Sequence, residues 1–296
     1  MSDEQLLTKT ISVNGLDTVI RDSHGELSIS DDELAMQPGE TNTNEAVVFV
    51  HGNPGSGGDW SLIMPEVAKF ARTVAPDMPG FGQSAKPENF NYTIEGYAAH
   101  LDAMLKALSI ERAHLVLHDF GGPWGLAWAA MNPQKVASLT LVNVGVLKGY
   151  SWHYLAKIWR TPLVGEFMMA TTTRFGLSML LKHGNPRGLP KEYLDEMYGN
   201  FDSGTKRAVL KLYRATSALG GAADMLHGAL RPLDLDTLVV WGKRDPYISY
   251  EYAEKQKETF PSAAVHYLDD SGHWPFIDNP QGFADIVLPH LKRVAG

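Results

Sequence analysis

The chain has 296 residues and a net charge of −8. Its length allows one large domain or a core with a subdomain, and its acidic balance argues against nucleic acid or an anionic membrane as a partner. There are no cysteines, which excludes disulfides, thiolate catalysis and cysteine-bound metals. No basic region followed by an apolar run opens the sequence, and no apolar stretch is long enough to span a membrane. We therefore expect a cytoplasmic protein.

The first elements are predicted by alternation and by turn residues. Residues 9–22 alternate apolar and polar side chains around Asn14-Gly15, which predicts a β-hairpin. Residues 23–45 are polar and rich in turn formers, which favours a surface loop or a short ordered insertion. The run 46–50 is apolar on both faces, which is typical of a buried parallel strand.

Strands and helices then alternate along the chain. We predict a strand end at 73–76, strands at 114–118, 138–143, 238–242 and 264–268, and helices at 60–71, 94–109, 124–131 and 281–294. This order predicts an α/β protein with a mostly parallel central sheet flanked by helices. Residues 146–228 are helical in pattern without a convincing strand, which indicates an inserted helical cap. The predicted domains are a core of residues 1–145 and 229–296 and a cap of residues 146–228.

Three predicted strand ends carry groups suited to nucleophilic catalysis. Asp119 follows the strand 114–118, Asp245 follows the strand 238–242, and His273 follows the strand 264–268. Ligands of open α/β sheets bind at the carboxyl ends of the strands, so we expect these three side chains to meet. Nucleophile, acid and histidine follow one another in this order in one large class of hydrolases.

The segment around Asp119 predicts a covalent mechanism. A nucleophile at a sharp strand-to-helix turn needs small neighbours, and Gly121 and Gly122 follow it. A carboxylate can attack an electrophilic carbon without prior deprotonation and form an alkyl-enzyme ester. His273 would then activate a water that hydrolyses this ester, and Asp245 would orient His273.

Supporting groups follow from the same chemistry. The backbone N–H groups of Asn53 and Phe120 are the predicted oxyanion hole. We favour structural hydrogen-bonding roles for His51 and His118, which flank the turns. Histidines and carboxylates show no ligand spacing, so neither a metal nor a cofactor is predicted.

Five motifs resemble those of the epoxide hydrolase and haloalkane dehalogenase branch of the α/β-hydrolase superfamily. They are His51-Gly52-Asn53-Pro54, Asp77-x-Pro79-Gly80-x-Gly82-x-Ser84, His118-Asp119-Phe120-Gly121-Gly122, Trp241-Gly242-x-x-Asp245, and Gly272-His273 with Pro280. The resemblance covers most of residues 9–294. It implies the α/β-hydrolase fold with an aspartate nucleophile.

Within that branch, epoxide hydrolases use two cap tyrosines that hydrogen-bond the epoxide oxygen and donate a proton. One commonly stands in a Tyr-Arg pair, which Tyr213-Arg214 matches. Tyr154 and Tyr150 are candidates for its partner, and we favour Tyr154. Asn53, however, departs from the aromatic residue that epoxide hydrolases commonly carry at that position.

Haloalkane dehalogenases hold the leaving halide with two N–H donors. Asn53 matches one of them, but Phe120 replaces the usual tryptophan and offers no such donor. Trp124 is a candidate substitute. Haloacetate dehalogenases usually place arginine just after the nucleophile, where this chain has Phe120-Gly121-Gly122-Pro123.

We therefore predict an epoxide hydrolase that forms a vicinal diol, with haloalkane dehalogenase as the alternative. A non-catalytic ligand-binding protein of this fold is a further alternative, against which the complete triad argues. The predicted partners are a small, neutral, apolar epoxide and water, and the protein is expected to be a monomer or homodimer. The predicted substrate pocket lies between cap and core and contains His51, Trp124, Tyr150 and Trp274.

Overall fold

The computed structural model describes residues 6–24, 44–216 and 219–296. Its first two strands, β1 (Leu7–Val13) and β2 (Leu16–Asp22), form the predicted antiparallel hairpin. Asn14 and Gly15 both have positive φ angles, 51° and 79°, as the tight turn between twisted strands requires. Most of the predicted loop at residues 23–45 lies outside the described residues.

Six further strands complete one sheet. They are β3 (Glu45–Val50), β4 (Thr73–Pro76), β5 (Arg112–His118), β6 (Val136–Val142), β7 (Thr237–Gly242) and β8 (Ala264–Leu268). The strand order is β1-β2-β4-β3-β5-β6-β7-β8, antiparallel in the first two pairings and parallel from β4 onward. The predicted mostly parallel sheet is confirmed. Its parallel strands β3 to β8 end on one edge, which gathers the loops that follow them.

Helices of the core flank this sheet. They are α1 (Met64–Ala68), α2 (Ile94–Ala107), α3 (Gly121–Met131), α10 (Glu251–Lys255), α11 (Pro275–Asp278) and α12 (Pro280–Ala295). The helix predicted at 60–71 is a 3-10 turn followed by the shorter α1. Helix α3 begins three residues before the predicted start at 124, because its first turn is built from the glycines that follow Asp119.

The described residues between β6 and β7 form six α-helices. They are α4 (Tyr154–Arg160), α5 (Val164–Thr171), α6 (Arg174–Gly184), α7 (Lys191–Asn200), α8 (Ser203–Ala215) and α9 (Leu219–Leu230). The described residues of this segment contain no strand, in agreement with a helical insertion. Helix α9 runs through the predicted boundary at 228/229, so the exact division into core and cap stays a prediction. No helix among the described residues has the length and apolar character needed to cross a membrane.

Candidate active site

The three residues predicted to form a triad meet at the carboxyl edge of the sheet. Nδ1 of His273 lies 2.7 Å from Oδ2 of Asp245, and Nε2 of His273 lies 3.6 Å from Oδ2 of Asp119. The first distance is a hydrogen bond, and the second is a charge contact that leaves space at the imidazole edge. All three side chains are 12% exposed or less. The central ring therefore contacts a carboxylate on each side.

Asp119 stands at the strained turn between β5 and α3. Its φ angle is 48°, in the left-handed region that non-glycine residues seldom adopt. Close backbone approach surrounds it, because a Cβ atom on Gly52 would lie 2.3 Å from Asp119 Cβ and one on Gly121 would lie 2.3 Å from the Val50 carbonyl oxygen. A Cβ on Gly122 would lie 2.3 Å from Val144. The glycines therefore allow the sharp turn that presents Asp119 above the sheet.

Asp245 is held by backbone and side-chain donors. Its Oδ1 accepts the N–H groups of Tyr247 at 2.7 Å and Ile248 at 3.1 Å. Its Oδ2 accepts a hydrogen bond from Asn143 Nδ2 at 2.8 Å as well as the one from His273. These contacts fix the orientation of the Asp245 side chain, with Oδ2 facing the imidazole.

Asn143 is a functional residue that the sequence analysis missed. It follows β6 directly, and its Nδ2 donates to both Asp245 and the carbonyl oxygen of Gly272. Its Oδ1 accepts the N–H of Gly242 at 3.0 Å. Asn143 thus joins the loops that carry the acid and the histidine. The signal that could have identified Asn143 is its position at the end of a strand, on the same edge of the sheet as the triad.

The electrostatics of the site favour a charged nucleophile. Burial raises the pKa of Asp119, but its contact with His273 and the charge of that ring outweigh burial and bring the pKa to about 2. Burial lowers the pKa of His273, but the carboxylates of Asp245 and Asp119 raise it to about 10. At neutral pH the free protein therefore holds Asp119 as a carboxylate beside an imidazolium.

Asn53 contacts Asp119, the predicted nucleophile, and its place in an oxyanion hole stays a prediction. Its backbone N–H donates to Asp119 Oδ1 at 2.7 Å, and its side-chain Nδ2 donates to the hydroxyl of Tyr213 at 3.3 Å. The ring of Phe120 packs edge-on against Tyr213, with the ring centres 5.0 Å apart. The role of the Phe120 N–H as second donor stays a prediction.

Two neighbouring cavities lie between the sheet edge and the cap. The smaller, of about 20 Å³, has room for about one water and is lined by Asp119 and His273 together with Asn53, Pro54, His153, Leu155, Trp159, Leu180, Leu181, Tyr213, Tyr247 and Trp274. We call it the reaction chamber. The larger, of about 250 Å³, shares Asn53, Pro54, Trp159 and Leu180 with it. Its other lining residues are mostly apolar: Met168, Met169, Thr171, Thr172, Thr173, Gly176, Leu177, Phe201 and Val209.

The structure brings Tyr213 and Trp274 into the reaction chamber but not every predicted pocket residue. His51 is fully buried, and its Nδ1–H donates to the Gly52 carbonyl oxygen while Nε2 accepts the N–H of Met78. Trp124 is also fully buried and stacks on Tyr97, with ring centres 4.0 Å apart. Both lie beneath the site as core residues, so their prediction as pocket residues is corrected.

The two tyrosines predicted early in the cap also lie outside the reaction chamber. Tyr150 donates its hydroxyl to the carbonyl oxygen of Tyr247 at 3.3 Å. Tyr154 is 49% exposed at the first turn of α4. The expectation that Tyr154 faces the nucleophile beside Tyr213 is therefore wrong in this structure. His153, one residue earlier, lines the chamber instead.

His153, His118 and Tyr247 complete the surroundings of the triad. His118 Nε2–H donates to the carbonyl oxygen of His273 at 2.7 Å, the structural role expected from the sequence. Burial lowers the pKa of His118 to about 3 and that of His153 to about 4, so both rings are neutral at neutral pH. The ring of Tyr247 lies 5.1 Å from that of His273, and burial raises the pKa of its hydroxyl. Single histidines and tyrosines carry no sequence motif that would have singled out His153 or Tyr247.

The fold and the strand-end triad define a hydrolase of the α/β class, and comparison with known proteins agrees. A family profile described as the alpha/beta hydrolase fold matches residues 45–280. The chain belongs to this family.

Relatives of this chain differ in the bonds they cleave. A haloalkane dehalogenase of Mesorhizobium japonicum is 32% identical over 264 residues, which cover 84% of each chain. A 2-hydroxy-6-oxo-2,4-heptadienoate hydrolase of Pseudomonas putida is 28% identical over 265 residues, covering 85% of this chain and 92% of its own. The solved structure of the epoxide hydrolase CorEH matches with a TM-score of 0.78 at 18% identity, covers 98% of this chain and 99% of its own, and shows the shared fold. The reaction proposed for this chain therefore has to be argued from the residues around its triad.

Proposed function

We propose that this protein is an epoxide hydrolase that opens an epoxide to a vicinal diol through an ester on Asp119. The observation that carries the proposal is the Tyr213 hydroxyl in the reaction chamber, bonded to Asn53 and close to the nucleophile. An opening epoxide develops negative charge on oxygen, so it needs a proton donor. Burial raises the pKa of Tyr213 well above its ordinary value, which keeps the hydroxyl protonated at neutral pH.

The first step forms the ester. An oxygen of Asp119 attacks an epoxide carbon, the carbon–oxygen bond of the ring breaks, and the released oxygen takes the proton of Tyr213. The low pKa of Asp119 keeps the attacking group ionised, and the Asn53 N–H orients it. The His273 imidazolium then gives up its proton to the Tyr213 tyrosinate, which restores the tyrosine hydroxyl and leaves His273 neutral.

The second step hydrolyses the ester. Esterification removes the charge of Asp119, one of the two carboxylates that raise the pKa of His273. The neutral imidazole can therefore take a proton from a water that attacks the carbonyl carbon of Asp119. The Asn53 N–H stabilises the oxyanion, and collapse of the intermediate releases the diol and restores the carboxylate and the imidazolium. The overall balance is the addition of one water to the epoxide.

His153 is the second donor that we propose in place of Tyr154. Its Nδ1 accepts the N–H of Ala156 at 3.3 Å, so the neutral ring carries its proton on Nε2. The ring lies 6.1 Å from that of Tyr213 and lines the same chamber. An N–H donor and an O–H donor would then share the epoxide oxygen.

Carbon–halogen cleavage is the second candidate function, and Trp274 favours it. Its indole N–H is buried without a hydrogen-bond partner among the described residues, and its side chain lines the chamber. A halide leaving an alkyl group would accept from such a donor. Against this candidate, the side chain of Phe120 supplies no hydrogen-bond donor beside Asp119, and the Asn53 side chain already donates to Tyr213.

One pair of incubations separates these functions. The protein is incubated with a styrene-type epoxide and, separately, with a 1-haloalkane, and diol and halide are measured. Diol without halide supports the proposal, whereas halide release without diol replaces it with dehalogenation. Saturable binding with neither product would favour a ligand-binding protein of this fold.

A further inference from the structure

The C-terminal end of the cap helix α6 holds the loop that carries His273. The N–H of His273 donates to the Gly184 carbonyl oxygen at 2.8 Å, and the N–H of Trp274 donates to Asn185 Oδ1 at 2.9 Å. The last carbonyls of a helix have no partner within the helix, which leaves Gly184 free to accept. Two consecutive residues of the cap thus hold two consecutive N–H groups of the catalytic loop.

Both polar groups of the Asn185 side chain form hydrogen bonds at this junction between α6 and the loop of His273. It is 1% exposed, and its Nδ2 donates to the Leu181 carbonyl oxygen at 2.9 Å. The side-chain amide therefore satisfies one carbonyl of the helix end and one N–H of the loop, and these two bonds fix its orientation. Losing it would leave a buried N–H and a buried carbonyl without partners.

The junction is also closely packed. A Cβ atom on Gly272 would lie 1.9 Å from the Gly184 carbonyl oxygen, so the two backbones are in direct contact. On its other side, α6 reaches the loop of the acid, since the Tyr247 hydroxyl donates to the Leu180 carbonyl oxygen at 3.3 Å. The end of this one helix therefore lies against the loops of both His273 and Asp245.

Core and cap hold different sides of the His273 backbone. From the core, His118 donates to the His273 carbonyl oxygen, and Asp278 Oδ2 accepts the N–H of Gly272 at 2.7 Å. From the cap, Gly184 and Asn185 accept the N–H groups of His273 and Trp274. Without Asn185, the loop would keep its core contacts but lose one of its two cap hydrogen bonds.

We propose that Asn185 is a positioning residue that aims His273 at the hydrolytic water. The 3.6 Å between His273 Nε2 and Asp119 Oδ2 is longer than a hydrogen bond, so the direction of Nε2 depends on the contact of Nδ1 with Asp245 and on the backbone of the loop. Formation of the ester needs the Asp119 carboxylate and a proton donor from the cap but no general base, whereas its hydrolysis needs His273 in place. Displacements of about 1 Å can cost about 100-fold in rate. The inference rests on the covalent two-step part of the proposed function and not on the identity of the leaving group.

The experiment compares Asn185→Ala with Thr205→Ala. Thr205 is a matched control, because it is also a buried cap residue and its hydroxyl donates to the Asn200 carbonyl oxygen at 2.9 Å, away from the catalytic loop. With a substrate that the parent protein accepts, rapid quench and mass spectrometry separate ester formation from ester hydrolysis. For Asn185→Ala we expect ester formation within about twofold of the parent and hydrolysis slowed about 10- to 100-fold, with ester accumulating. Thr205→Ala should change neither rate selectively.

A second readout is independent of activity. Amide hydrogen exchange of His273 and Trp274 should become about 10-fold faster or more in Asn185→Ala and stay unchanged in Thr205→Ala. If Asn185→Ala does not fold, Asn185→Gln, which keeps the amide but displaces it by one methylene from the Trp274 N–H, is measured in the same two ways. Equal loss of both chemical steps, or unchanged exchange at His273 and Trp274, would overturn the proposal. If the parent accepts neither epoxide nor haloalkane, the proposed function fails and the exchange measurement alone decides the role of Asn185.

Discussion

The two regions that meet at the reaction chamber hold their functional groups by different means. In the core, Asp119 and Asp245 accept backbone N–H groups, and His273 is held through its own backbone. In the cap, Tyr213 is positioned by one side-chain hydrogen bond and by the rings of Trp159 and Phe120, with centres 4.9 and 5.0 Å away. Backbone contacts tolerate sequence change better than packed rings do. Under the proposed mechanism, the core therefore holds the nucleophile, acid and base, and we expect the cap to decide which bond breaks.

The largest expected effect tests the core. His273→Gln should lower turnover by about 10⁴-fold or more, because the ester on Asp119 then lacks its general base. Ester formation needs the carboxylate and a proton donor but no general base, so the variant should form the ester and stop before hydrolysis. Intact-mass spectrometry with an accepted substrate should show one adduct, and peptide mapping should place it on Asp119.

Asp119→Asn is the control for that experiment. It removes the nucleophile and should give no adduct with the same substrate. An adduct of undiminished yield in Asp119→Asn, or none in His273→Gln, would contradict the covalent mechanism.

The next effect tests the cap. Tyr213→Phe should lower kcat/KM for an epoxide by about 100-fold, because the ring oxygen loses a proton donor. Tyr193→Phe is a matched control, since the Tyr193 hydroxyl donates to Asp59 Oδ1 at 3.2 Å, away from the triad, and its ring does not line the reaction chamber. It should change kcat/KM by no more than about threefold. Equal losses in both variants would mean that the hydroxyls only stabilise the cap.

The strand-end residues could be predicted from the sequence, whereas the chamber of the cap could not. Asp119, Asp245 and His273 each follow a short apolar run, and parallel strands bring such ends together whatever the loops contain. Asn143 also follows a strand, but its value depends on its contacts with Asp245 and Gly272, more than 100 residues away in the chain. Contacts that one side-chain amide makes with residues far along the chain leave no pattern in the local sequence.

In the cap, the residue predicted to face the chamber was wrong by one position. The sequence predicted Tyr154, and the structure places His153 in the chamber as the N-cap residue of α4. Successive positions at a helix start point about 100° apart, so neighbours can face the chamber and the solvent respectively. Composition and spacing place a helix in this segment but do not determine its rotation, which is set by packing of His153 and Trp159 against Tyr213.

The next prediction, of intermediate size, concerns the pH dependence of stability and the charged pair of Asp119 and His273. The pKa of His273 is raised to about 10 from an ordinary value of 6.5, so the folded protein binds one more proton than the unfolded chain between these values. The free energy of unfolding should therefore fall as pH rises from about 6.5 to about 10. Urea unfolding at a series of pH values measures this slope.

His273→Gln provides the matching control for the pH experiment. The variant lacks the titrating group, so its free energy of unfolding should depend less steeply on pH in the same range. Identical slopes for parent and variant would show that the charged pair does not form in solution.

The smallest expected change in activity is that of Tyr154→Phe, which tests whether Tyr154 or His153 acts in the reaction chamber. Tyr154→Phe should leave kcat/KM for an epoxide within about twofold of the parent, because the Tyr154 side chain is 49% exposed and does not line the chamber. His153→Phe should lower it by about 10-fold or more, because phenylalanine keeps a ring but lacks the Nε2–H donor. The two variants change adjacent residues of one helix start, so a general loss of cap stability would affect both. A large loss in Tyr154→Phe with little change in His153→Phe would mean that α4 turns on substrate binding and that the tyrosine pair operates after all.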